Sequence, residues 1–134
     1  MLALAAIRQG RRWAESLMVD QCEIRRTTGE PGPLDPETGE RPPAPTTVVY
    51  SGKCKVQTYE PHESKPESGN HVYTVQRYYV HLPVDAGPAV IDDQVQITQS
   101  AVAPHLVGRI YRVAGLHHKS MATAQRLLVD EVVA

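Results

Sequence analysis

Two pairs of neighbouring residues hold most of the chemistry that this sequence could support. His117-His118 is the strongest lead among six histidines. On a strand, adjacent side chains point to opposite faces, and neither histidine has a partner two or four positions away to complete a metal site. In a loop they would need His62, His71 or His81, and ordinary surface histidines are the simpler expectation. Asp92-Asp93 could supply metal ligands or a general base, but at the start of a strand the two carboxylates diverge, which predicts a turn-capping role. Cys22 and Cys54 stand 32 positions apart with no C-x-x-C pair, so they predict two buried thiols rather than a zinc ribbon or a disulfide scaffold. No G-x-S-x-G elbow, phosphate-cradling G-x-x-x-x-G-K or H-E-x-x-H is present. The expectation is a protein with no catalytic residues, no metal and no cofactor.

Charge offers more than catalysis does. Fourteen basic and fifteen acidic side chains leave a net charge of −1, which lacks the footprint of a DNA-binding domain. Near-neutrality is nevertheless a sum of unlike parts. Arg8, Arg11 and Arg12, beside Trp13, form a basic stripe near the N-terminus, whereas Glu30, Asp35, Glu37 and Glu40 face Arg41 alone between Thr28 and Thr47, a local balance of −3. That acidic stretch also holds Pro31, Pro33, Pro36, Pro42, Pro43 and Pro45, a density that neither a helix nor an inner strand tolerates. A structureless loop of this length is either a solvated excursion or a segment projected for function.

The elements that position these residues follow from hydrophobic period. Ala3, Ala6, Ile7, Gly10, Ala14 and Leu17 recur at helical steps and predict an amphipathic helix over Leu2 to Met18, with the arginines on another face. Beyond it the period is two. Strands are predicted over Gln21 to Thr27, Val48 to Tyr50 and Lys53 to Gln57 (the last two separate, or one strand bent at Gly52), His71 to Leu82, Gln94 to Thr98, Arg109 to Leu116 and Ala124 to Val133. The strand ending at Leu82 is expected to be the longest and central. A second polar excursion spans Glu60 to Asn70, and Ser100 to Leu106 is expected to be a loop or one helical turn, broken by Pro104. With 134 residues, no Phe and abundant Val and Tyr, the chain reads as one domain. Its expected fold is a mainly β body, a small antiparallel β-barrel or sandwich of six to seven short strands with an N-terminal α-helix and two long polar loops. Met1 to Ile7 is apolar, but its arginines follow rather than precede it, the reverse of a signal peptide, and no stretch approaches the length of a membrane span. A soluble, intracellular protein is expected.

The order of features resembles the head-to-tail connector proteins of tailed bacteriophages, in the head-completion or stopper group with a small β-barrel. The resembling stretches are "IRQGRRW" in the helix, "CEIRR", "VVYSGKCKV" after a long loop, "VIDDQVQIT", and "LVGRIYRVAGL" before a closing strand. Together they span nearly the whole chain. The resemblance implies a homo-oligomeric ring, dodecameric by expectation, in the virion neck. A portal or adaptor protein would lie above it and a tail-terminator or tail protein below, with genome DNA passing through the lumen. It brings no catalytic residues. On that reading the acidic loop with Glu30, Pro31, Asp35, Glu37 and Glu40 is the candidate lumen or gating segment, since acids repel phosphate. The helix with Arg8, Arg11, Arg12 and Trp13 is the candidate contact with the ring above. Three alternatives stand beside this reading: a tail-terminator or minor tail protein, a small metal-binding or enzymatic domain using His117, His118 and Asp92, and a β-barrel binding module outside phage.

Overall fold

A computed structural model describes residues 2–59, 63–64, 73–74 and 77–132. It is a closed six-stranded antiparallel β-barrel with one N-terminal helix, as the hydrophobic period predicted. Helix α1 covers Leu2–Ser16, two residues shorter than its apolar period suggested. The strands are β1 (Asp20–Thr27), β2 (Thr46–Tyr59), β3 (Glu63–Ser64), β4 (Tyr73–Thr74), β5 (Arg77–Leu82), β6 (Gln94–Ser100), β7 (Ile110–His117) and β8 (Gln125–Val132). The barrel order is β1-β2-β5-β8-β7-β6, closed by the pairing of β6 with β1, while β3 and β4 form a separate two-stranded ladder. The described residues contain no helix long and apolar enough to cross a membrane.

Alternation explains the core. Cys22 and Ile24 from β1, Val80 and Leu82 from β5, Val95 and Ile97 from β6, Tyr111 and Val113 from β7, and Leu127 and Val129 from β8 all point inward and are buried, joined by Cys54 from β2. A six-stranded barrel has a narrow interior, which β-branched and small side chains fill, so the lack of Phe suits it. Burying each Val, Ile or Leu contributes about 1.5–3 kcal/mol relative to leaving it exposed. Register shifts at Gln21/Cys22 and Ile24/Arg25 on β1, and at Val113/Gly115 on β7, bend the sheet toward closure.

Of the two readings of residues 48–57, the single strand holds: β2 runs through Gly52, over which the Tyr50 ring folds, donating its hydroxyl hydrogen to the Lys53 carbonyl at 2.7 Å. An added Cβ at Gly52 would stand 2.8 Å from the Tyr50 hydroxyl, so only glycine leaves the ring room. The longest strand is therefore β2, not the one ending at Leu82, which as β5 has only six residues, with Tyr73–Thr74 as a distinct short strand. Pro104 starts a 3-10 turn, Pro104–Leu106, rather than breaking one, because a first-turn position requires no N–H from it. Most of the Glu60 to Asn70 excursion and part of the His71 to Leu82 stretch, with His62 and His71, lie outside the described residues.

Candidate functional site

The acidic loop is a tongue, not a slack excursion. Its two legs are tied at intervals: the Thr28 N–H donates to the Pro45 carbonyl at 2.8 Å, Gly32 to Pro42 at 3.1 Å and Asp35 to Glu40 at 2.7 Å. Gly29 and Gly32 lie against the rings of Pro45 and Pro42, where a side chain would collide. The tip turns at Gly39, whose φ of 72° is the left-handed conformation glycine takes freely. Asp35 is used there, its carboxylate accepting from the Glu37 N–H at 2.9 Å, and that bond holds the carboxyl below its ordinary range. Glu30, Pro31, Glu37 and Glu40 are exposed. At the rise of extended chain the tongue projects roughly 25–30 Å from its base at Thr27 and Thr46. Its prolines lack the N–H groups a further strand would need, so it stays extended without recruiting other strands.

Helix α1 lies on the outside of the barrel, with no residue of its own buried. It is held at three points. Gly10 packs so closely on Thr123 that a Cβ would fall 2.9 Å from the Thr123 methyl; the Arg11 Nε donates to the Ala122 carbonyl at 3.1 Å; Lys53 pairs with Glu15 at 3.3 Å. The three arginines therefore do not act as one stripe. Arg11 is spent on the body, Arg12 donates to the Gln9 side chain at 2.7 Å, and Arg8 and Arg12 remain exposed. Trp13, at 68% exposure, stands on the outward side with Leu2 and Leu17. The tongue and the helix are attached at different places, and among the described residues no hydrogen bond or ion pair joins Glu30, Asp35, Glu37 or Glu40 to Arg8, Arg11, Arg12 or Trp13.

A third charged region was not visible in the sequence. Strand register aligns Lys55 of β2 with His81 of β5, His81 with Arg126 of β8, and Arg126 with His117 of β7. These side chains alternate with inward Val80, Leu82 and Leu127, so they form one row across the outer wall. Burial, together with Lys55 and Arg126, pulls His81 down to about 4. His118 and Lys119 extend the row into the exposed loop after β7. The signal that could have found it, alignment of residues 55, 81, 126 and 117, exists only once strand order is known.

The chemical pairs resolve into structure. Asp93 is buried and bound to Arg26, while Asp92 is exposed, has a φ of 75° and accepts from Arg112 at 2.8 Å. Turn stabilisation is thus joined by an ion pair between buried Asp93 and half-buried Arg26 that spacing did not suggest. The His117 ring meets the Tyr79 ring edge-on at 5.4 Å. Among the described residues no three His, Cys, Asp or Glu side chains converge as a metal site would require. Cys22 and Cys54 are both free and buried, and hydrogen bonding to Cys22 with burial pushes the Cys54 thiol up, far from reactive thiolate. A cleft of about 360 Å³ opens between Thr58, Tyr78, His105, Arg109 and Tyr111. Its guanidinium is already committed to Glu131 and the His105 carbonyl.

A family profile matches residues 10–130, and its description is "Family of unknown function (DUF6093)". No curated protein and no solved structure matches the chain.

Proposed function

We propose that this chain, which belongs to the DUF6093 family, is a structural ring subunit of a tailed-phage neck, a head-to-tail connector of the stopper type that works without catalysis or cofactor. The observation that carries the reading is a closed barrel bearing two exposed appendages, the acidic tongue and the outer helix. Closure leaves the six barrel strands no free edge by which to add strands. On this reading assembly runs through side chains on the appendages and outer wall. Contacts between two different patches propagate head to tail and close into a ring when the rotation allows. Each subunit contributes a rigid wall, and the exposed Arg8, Arg12 and Trp13 offer a mixed basic and apolar surface to the portal or adaptor above.

Electron microscopy of the purified protein mixed with DNA-filled, tailless, portal-containing heads tests this. A ring seated at the portal is expected. Deleting residues 31–43 should leave the subunit folded, because the tongue adds nothing to the core, and should give heads that leak DNA. Absence of any density at the portal would defeat the neck reading, and capping of tail tubes instead would reassign the protein to tail termination.

A further inference from the structure

We infer that the tongue of one subunit docks on the row formed by Lys55, His81, Arg126 and His117 of a second copy, making a head-to-tail seam. The inference rests on the ring reading and deepens it by naming the contact. It moves the tongue from the lumen, where charge alone had placed it, to the boundary between subunits.

The argument is one of unmatched charge. Within the barrel most outward cations already have an acid: Arg25 with Glu23, Arg26 with Asp93, Lys53 with Glu15, Arg109 with Glu131, and Arg112 with Asp92 and Asp130. Among the described residues no ion pair includes Lys55, Lys119 or Arg126, and none includes Glu30, Glu37 or Glu40. Three of the unmatched cations, Lys55, Lys119 and Arg126, lie on or beside this row, and three of the unmatched acids, Glu30, Glu37 and Glu40, lie on the tongue, where Arg41 is its one cation. Lys55 and Arg126 stand on β2 and β8, the two neighbours of β5, so two cations flank His81 on one stretch of outer wall and an anion laid across it would meet both. The nearest outward acid on β8, Asp130, is held by Arg112. Four strands at about 4.8 Å separation give the row a length of roughly 14 Å, within the reach of the tongue. Helix α1 is tied to Lys53, two residues from Lys55, and to Ala122 in the loop that follows His117 and His118.

Self-association of the full chain, followed by sedimentation velocity at about 50 mM and about 500 mM salt, tests the seam. Wild type should associate at low salt and dissociate at high salt. One variant carries Lys55→Glu, Lys119→Glu and Arg126→Glu; the other carries Glu30→Lys, Glu37→Lys and Glu40→Lys. Each alone should weaken association about tenfold or more. An equimolar mixture should restore it, because each reversed row then meets a reversed tongue, which a misfolded variant cannot imitate. A wild-type chain that remains monomeric at low salt, or association indifferent to both reversals, overturns the seam. A salt-insensitive ring that still seats on heads would remove the seam and leave the neck reading standing. A salt-sensitive ring with no affinity for heads would do the opposite.

Discussion

Arg26, near the end of β1, holds both carboxylate oxygens of Asp93, at 2.9 and 3.0 Å, across 67 positions of sequence. The same guanidinium donates to the Pro88 carbonyl at 3.2 Å, and Asp93 also accepts from the Val90 N–H at 2.9 Å. One ion pair thus pins the crossover between β5 and β6 to the barrel at the end from which the tongue departs. Asp93 is only 1% exposed, so its carboxylate exists there because those donors surround it.

Removing that carboxylate should be costly. Asp93→Ala leaves the Val90 N–H without its acceptor and should lower stability by about 2–3 kcal/mol. Asp93→Asn, which keeps the shape and one acceptor, should fall between. Urea denaturation followed by circular dichroism measures both, and unchanged midpoints would refute the clamp.

Gly10 faces a conflict between local and tertiary preference. Alanine favours a helix interior by about 1 kcal/mol over glycine. Here the new Cβ would meet the Thr123 methyl at 2.9 Å. Gly10→Ala should therefore give no stabilisation and should loosen α1 from the barrel. Combined with Thr123→Ser, which deletes that methyl, the helix gain should emerge as a higher Tm. Equal Tm gains in the single and double variants would show that the contact does not matter.

His81 gives the fold a pH dependence of known sign. Its ordinary value is 6.5, and burial with Lys55 and Arg126 lowers it to about 4. Between those values the unfolded chain takes up a proton that the native barrel resists. The stability tied to neutral His81 is complete above about 6.5 and is lost as pH falls toward 4. The side chain is only half-buried, so solvent screening keeps the effect near 1 kcal/mol. His81→Gln should flatten the stability profile over that interval, and an unaltered slope in the variant would rule His81 out as its source.

Much of the fold was legible in local pattern because strand alternation is a local property. Val95 and Ile97, or Leu127 and Val129, announce an inward face two residues at a time, and the same logic sets Tyr79 and His81 outward. The helix was legible too, but its orientation was not. The apolar period placed Gly10 and Ile7 against the body and set Arg11 with Arg8 and Arg12, whereas the Ala122 carbonyl takes Arg11 inward. Among the candidate site residues, the acidity of Glu30, Asp35, Glu37 and Glu40 was plain in the chain. The use of Asp35 to close its own turn, and the lattice of bonds that makes the loop a tongue, were not, since proline density reads as disorder until cross-leg partners are known.

By itself the sequence determined the strand-rich body, the helix, the two buried thiols and the separation of acidic from basic segments, because each follows from residue type and short-range spacing. Tertiary structure alone decided which charges are satisfied. Closure of β6 onto β1 and the pairing of β5 with both β2 and β8 bring Lys55, His81, Arg126 and His117 into one row, and carry Arg26 to Asp93. Those meetings depend on strand order and register, which are set by how the whole barrel closes and not by any stretch of chain.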